Sequence, residues 1–370
     1  MPSQLFSPIT IPAPQGPGLT LRNRAAVPPM CQFELERQDG IAREWHQQHY
    51  GALAAGGFGL ITVESTGVEP RGRISPADLG LWNDEQTAAH AKLVDFMHSQ
   101  GVAAAIQLNH AGGKAGTWPE RFNAPDGTVP VDQGGWQTLG VTDQRVFPEL
   151  DAPQALDAKG IAQIVEDFRQ AAVRADAAGY DAIQIHGAHG YLIHQFLSPL
   201  TNTRTDEYGG DLEGRSRFMR EVVDAVRSAW PATKPLGIRV SATDWTDKGL
   251  SADEVAAAMR ELVDNHGITW VDVSSGGLDG GPIPVGHGYQ LPGAQTVKQA
   301  LAGTGALVAG VGLITDAAEA ETIIESGTVD LVDVGRAALR NPHWAAVAAR
   351  RLHVPIDKNP VSPYYWRAFK

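Results

Sequence analysis

The chain has 370 residues, of which 43% are hydrophobic and 19% charged, with a formal net charge of -12. An acidic surface repels phosphate backbones, so nucleic acid is not an expected partner. No apolar run approaches the ~18 residues of a membrane span, and Cys31, the only cysteine, excludes an intrachain disulfide and a cysteine-ligated iron–sulfur cluster. Met1 to Thr10 lacks a basic segment followed by an apolar one, so a cytoplasmic location is expected.

In chain order, short β-branched runs alternate with longer helical patterns. The runs are Ala25–Pro28, Leu60–Glu64, Ala103–Leu108, Ala182–His186, Gly237–Ser241, Trp270–Ser274, Leu307–Gly310 and Leu331–Gly335. Helical stretches fall near 46–56, 84–100, 158–179, 213–230, 251–266, 290–303, 315–327 and 341–353. Apolar strands separated by amphipathic helices predict a parallel sheet covered on both faces. Eight such units predict a closed α/β structure, a (β/α)₈ TIM barrel, with an open doubly wound sheet as the competitor.

The helix after the third strand is delayed. Residues 112–157 are rich in Gly, Pro, Asp and Trp and carry little periodicity. A loop of that length in a compact unit is usually functional, so a cap over the barrel mouth is expected; a surface insertion is the alternative. No low-complexity linker divides the chain, which reads as one domain over residues 1–370. The tail, 360–370, carries Tyr364, Tyr365, Trp366 and Phe369, an end that water would not favour.

Barrel enzymes place their chemistry at the C-terminal ends of the strands. Those positions carry Pro28, Pro29, Met30 and Cys31, then Glu64 and Ser65, Gln107, His186, Arg239, Ser274, Gly310 to Gly312, and Gly335 with Arg336. Glycines after the last two strands admit an anion to the backbone, and Arg336 adds a charged fork suited to phosphate. A tight turn explains the same glycines. Arg239 and Gln107 suit the electron-poor edge of a flavin; a salt bridge within the mouth is the alternative for Arg239. In Ile185-His186-Gly187-Ala188-His189-Gly190-Tyr191, two imidazoles and a phenol follow a strand. They suit a grip on a polar oxygen beside a phenolic proton. Metal binding lacks a third ligand, and structurally satisfied histidines remain a further reading.

The residues resemble the old yellow enzyme family along almost the whole chain. The most specific blocks are Ile185 to Leu192, Phe196-Leu197-Ser198-Pro199-Leu200-Thr201-Asn202, and Arg204-Thr205-Asp206-Glu207-Tyr208-Gly209-Gly210. Pro29-Met30-Cys31 is similar to the subgroup with a cysteine near the flavin, often called thermophilic-like. The resemblance implies an FMN enzyme, reduced by NADPH or NADH, that reduces the activated C=C bond of α,β-unsaturated carbonyl compounds. Pro28, Pro29, Met30, Cys31, Ser65, Gln107 and Arg239 would surround the isoalloxazine, and Gly312, Gly335 and Arg336 the phosphate. His186 and His189 would bind the substrate carbonyl, Tyr191 would donate the proton, and Cys31 would tune the flavin. A buried structural thiol is the alternative for Cys31.

Three departures stand out. Phe33 occupies the substrate-binding position where a tyrosine is frequent. His110-Ala111-Gly112-Gly113-Lys114 has Gly113 in place of an arginine. The cap is longer than usual for the subgroup. Tyr365-Trp366-Arg367 is similar to a C-terminal segment whose arginine enters a neighbouring subunit's site, which implies a homodimer or higher oligomer with Arg367 at the partner's substrate.

Overall fold

A computed structural model describes residues 2–121 and 123–369. Eight parallel strands form its centre: β1 (Ala25–Val27), β2 (Leu60–Gly67), β3 (Ala103–Asn109), β4 (Ala182–Gly187), β5 (Leu236–Ser241), β6 (Trp270–Ser274), β7 (Leu307–Gly310) and β8 (Leu331–Asp333). Each pairs with its sequence neighbour, and β8 pairs with β1, so the sheet closes into a barrel. All eight strands coincide with the predicted runs, and closure removes the open-sheet alternative.

Eight helices wrap the barrel: α1 (Glu44–Ala55), α2 (Asp84–Ser99), α3 (Ala158–Ala177), α4 (Leu212–Ala229), α5 (Ala252–Asn265), α6 (Leu291–Ala300), α7 (Ala317–Glu325) and α8 (Trp344–Arg351). Their starts follow capping chemistry. Asn83, Asp157, Asp211, Ser251 and Asp316 each accept an N–H of the first turn with the side chain. Several short elements escape the periodicity, among them a five-residue helix, Arg336–Arg340, and a two-residue strand, Leu79–Gly80. A hairpin pairs Ile9–Ile11 with Leu19–Leu21, and a six-residue helix, Leu192–Leu197, follows the His186 loop.

Inward and outward side chains alternate along each strand. Ala26, Leu60, Ala105, Ala182, Trp270, Ala309 and Leu331 point inward near the strand starts, and Ile11 and Leu21 of the hairpin seal them from below. The next inward layer is polar: Gln107, Gln184, Arg239, Asp272 and Asp333 share the same alternation. The chemistry therefore sits on an apolar plug. A bulge between Val63 and Ser65 resets the phase of β2. It aligns Ser65 with the inward Gln107 and turns Glu64 outward, towards α1.

The described residues of 112–157 hold only fragments of regular structure. The 3₁₀ turns Gly112–Lys114 and Val131–Gln133 are joined by a short pairing of Leu139–Gly140 with Gln154–Ala155. Arg204, in the Arg204-to-Gly210 block, ties down both ends of that pairing by donating to the Val141 and Leu156 carbonyls at 2.8 Å each.

Candidate active site

The loop after β1 carries Pro28 to Phe33. Glu64, turned outward by the bulge, anchors it: Gln32 N–H donates to its carboxyl at 2.7 Å and Tyr50 Oη–H at 3.0 Å. Burial pushes this carboxyl up to about 8. Glu64 thus braces the loop from behind and does not enter the mouth. Cys31 is half-buried, and desolvation, with the carboxyls of Asp78 and Glu64, raises its thiol well above the usual range. It is a thiol here rather than a thiolate. Phe33 sits at φ 50 and packs with Ile74, Ala77, Ala111 and Ala115, with Cys31 and Tyr191 alongside.

After β4 the chain turns sharply. His186 is buried, and its Nδ1 accepts the Ala188 N–H at 3.3 Å. That bond leaves the imidazole proton on Nε2. His189 is at φ 59, and its ring meets His186 edge-on with centroids 5.1 Å apart. Tyr191 also meets His186 edge-on, with centroids 4.9 Å apart. The turn needs glycine at 190: φ is 73, and a Cβ there would lie 2.2 Å from the Gly277 carbonyl oxygen. His194 holds the turn by accepting the Gly190 N–H at 2.8 Å, while its Nε2 lies 3.0 Å from buried Asp244.

Both site imidazoles are held well below their ordinary value by burial first and then by the charge of Arg239. They are neutral near pH 7, and each offers one N–H. For His189 the choice of nitrogen rests on Ser274. The Ser274 Oγ lies 2.7 Å from His189 Nε2 and 3.0 Å from Gln290 Oε1, and has one proton to give. Ser275 also donates to Gln290 Oε1, at 2.9 Å. With both serines donating to Gln290 Oε1, Ser274 Oγ accepts from His189 Nε2–H; with the Gln290 amide turned, its NH₂ donates to both serine oxygens, the Ser274 proton goes to His189 and Nδ1–H is left as the free donor. Tyr191 stays protonated, because burial raises its phenol well above the usual value.

Sequence reading missed Lys114 as a site residue. Its ammonium donates to the carbonyls of His189 at 2.7 Å and Gly277 at 2.8 Å, and lies 5.0 Å from the centre of the Tyr191 ring. Burial lowers it to about 8. Gly113 also finds a reason. A Cβ there would meet Val146 at 2.8 Å and Pro153 at 3.4 Å, so the cap occupies the space a longer side chain would need.

The predicted residues converge in two groups. Met30, Cys31, Phe33, Tyr191 and Arg336 line one cavity of about 860 Å³, walled by Lys114 and by the cap residues Trp118, Arg121 and Phe147. Ser65, Gln107, His186 and Arg239 lie buried at the base of the mouth. Arg239 is both at the mouth and in a salt bridge: its Nε is 3.0 Å from Asp272, poorly aligned and without a hydrogen bond. Gly335 lies beside Pro28 and Met30, where a Cβ would be 3.7 and 3.6 Å from their side chains. Pro29 sits between them in the chain. Gly312, at φ 140, runs against the Gly288–Gln290 backbone. Arg367 is exposed on the outer surface and does not line this cavity. Tyr364 is largely exposed, while Tyr365, edge-on to His343, and Trp366 are partly so. Among the described residues, no three His, Cys, Asp or Glu side chains converge as a metal site, and no helix is long and apolar enough to cross a membrane.

The residues fit a flavin. Ser65 Oγ is buried without a partner, which calls for a bound polar group. Gln107 and Arg239 beside it match the alternating N–H and C=O of a pyrimidine ring.

A closed parallel barrel with this mouth defines a flavin-dependent oxidoreductase. The comparisons agree. The chain belongs to the NADH:flavin oxidoreductase / NADH oxidase family, which matches residues 4–354 and bears out the resemblance to the old yellow enzymes. It is similar to the NADPH dehydrogenase of Bacillus subtilis (strain 168), 43% identical over 96% of this chain and 97% of that protein. The NADPH dehydrogenase of Geobacillus thermodenitrificans (strain NG80-2) is 40% identical over 99% of this chain and 100% of its own. Among solved structures, morphinone reductase superposes with a TM-score of 0.75 at 29% identity, over 96% of this chain and 91% of its own. The cofactor is FMN, with a nicotinamide reductant.

Proposed function

We propose that this protein is an NAD(P)H-dependent ene-reductase that reduces the activated C=C bond of α,β-unsaturated carbonyl compounds, as one domain capped by residues 112–157. The observation that carries this reading is the pair of neutral imidazoles, 5.1 Å apart, beside a protonated phenol and near Arg239. The names of its relatives favour NADPH as reductant.

When bound, FMN supplies the hydride that reaches the β-carbon of the substrate. The protein does the rest. His186 Nε2–H and an N–H of His189 hold the carbonyl oxygen and stabilise the charge that develops on it. Because they are neutral and buried, they stabilise that charge without first giving up a proton. Tyr191 Oη–H supplies the proton to the α-carbon. Lys114, fastened to the His189 and Gly277 carbonyls, holds the cap over this group and limits access of water. Gln107, Arg239 and Ser65 would hold the flavin's polar edge, Pro28 to Met30 its surface, and Gly312, Gly335 and Arg336 its phosphate. Cys31 would touch the ring as a thiol, as in the cysteine-bearing subgroup. Phe33 offers the substrate a face without a hydroxyl. The exposed aromatic tail favours a homodimer or higher oligomer, in which Arg367 would enter the neighbour's substrate site.

Anaerobic titration with NADPH should bleach the FMN absorbance, and cyclohexenone should restore it. A protein that holds FMN but is not reoxidised by any enone would refute the substrate class.

A further inference from the structure

Below the mouth lies a chain of buried polar groups that the proposed mechanism does not use. Gln107 Nε2 donates to Gln184 Oε1 at 2.7 Å, and Gln184 Nε2 crosses the lumen to donate to Asp272 Oδ2 at 3.1 Å. The same carboxylate oxygen lies 3.0 Å from Arg239 Nε. Asp333, on β8, is buried within electrostatic reach of Asp272 and Arg239. A carboxylate only accepts, so Gln184 must turn its NH₂ to Asp272 and its carbonyl to Gln107. Gln107 must then spend an N–H on Gln184, and its carbonyl oxygen is left free of this chain. The orientation of a flavin-facing amide is therefore dictated from two residues below it.

The charges close in the same place. One guanidinium faces two buried carboxyls, and burying both as anions would be costly. Desolvation and the neighbouring Asp272 raise Asp333 well above the carboxylate range, so it carries the proton. The trio then sums to zero, and Arg239 is not a bare cation.

We propose that Asp272, Asp333 and Gln184 are positioning residues for the flavin's pyrimidine edge. They fix the Gln107 amide, and they hold Arg239 as half of a neutral ion pair, which sets how easily the flavin is reduced. This rests on the reading that FMN lies over Gln107 and Arg239. A single negative charge shared by two carboxyls has a signature: either can carry it alone. In the holoenzyme, Asp272→Asn or Asp333→Asn should each move the two-electron reduction equilibrium of FMN by less than about threefold, ~15 mV. The double variant loses the charge, unmasks Arg239, and should favour reduced FMN by at least tenfold, ~30 mV.

Dye-equilibrated potentials read this without turnover. A double variant that binds FMN at wild-type potential overturns the proposal, as do single variants that each reproduce the double. If the double variant does not fold, the wild-type redox difference infrared spectrum decides. A protonated-carboxyl carbonyl band that disappears in Asp333→Asn supports the shared charge, and its absence from the wild type overturns it. Gln184→Met leaves the ion pair and frees the Gln107 amide; it should weaken FMN binding about fivefold, the worth of one neutral hydrogen bond. Unchanged affinity overturns the amide half. A wild-type protein that takes up no FMN would instead sink the functional reading itself.

Discussion

The two ends of the barrel are built on opposite rules. At the floor, Ile11, Leu21, Ala26, Leu60, Ala105, Ala182, Trp270, Ala309 and Leu331 pack as one apolar cluster, in which Trp270 Nε1 is the one polar side-chain atom and is itself buried without a hydrogen bond. At the mouth, Ser65 Oγ and Arg239 Nε are buried without hydrogen bonds. Phe33, His189, Trp245 and Leu313 take positive φ just past the ends of β1, β4, β5 and β7. The floor spends its residues on burial, while the mouth tolerates backbone strain and leaves Ser65 Oγ for a ligand to satisfy. Stability and chemistry are thereby assigned to separate layers of the same strands.

That separation can be broken by experiment. The largest effect belongs to the floor. Leu21→Ala should cost about 2–5 kcal/mol of stability in urea unfolding, with the FMN spectrum of the folded fraction unchanged; a lost flavin signal without lost stability would contradict it. His186→Ala should slow reoxidation by enones ~100-fold or more with little change in unfolding midpoint, and weaken binding of phenols that imitate the enolate. Unchanged phenol titration and turnover would remove the oxyanion role. Tyr191→Phe should slow enone reoxidation by about 100-fold and leave reduction by NADPH intact, read by stopped flow on both half-reactions.

The outer brace of the Cys31 loop gives a smaller, pH-dependent effect. Glu64 is raised from 4.5 to about 8 in the folded chain. Between those values the folded state keeps a proton that the unfolded state has lost. Stability should therefore fall as pH rises through that window, by at most ~1.4 kcal/mol per pH unit, and level off above it. Glu64→Gln should flatten that slope in pH-resolved denaturation. The smallest effect sharpens the comparison at one proton. Ser274→Ala removes the partner of His189 Nε2 and should weaken phenol binding by about threefold to tenfold, with stability changed by no more than about 1 kcal/mol.

The barrel itself was legible because its strands are short, continuous and β-branched and alternate with helical periods. His186, His189 and Tyr191 were legible as a dense polar block past a strand. Less visible was what lies inside the lumen. Gln184 and Asp272 stand two residues before His186 and Ser274, on the same alternating face, yet attention to strand ends passed over them. Period-two reading backwards from each site residue would have found both. The hairpin of Ile9 to Leu21 was illegible because strands of three residues carry no usable period. Lys114 was in view within a family motif, but its bonds to His189 and Gly277 are tertiary. Gly113 became explicable only once Val146 and Pro153 were placed against it.

The irregularity between Val63 and Ser65 works as a frameshift within one strand. Read without the extra residue, every second side chain from Leu60 would put Glu64 into the lumen, an acid directly under an electron acceptor. With it, a neutral hydroxyl takes that station and the acid is exported to the helical shell. A one-residue insertion thus lets the upper half of a strand be rewritten while the lower half keeps its old text.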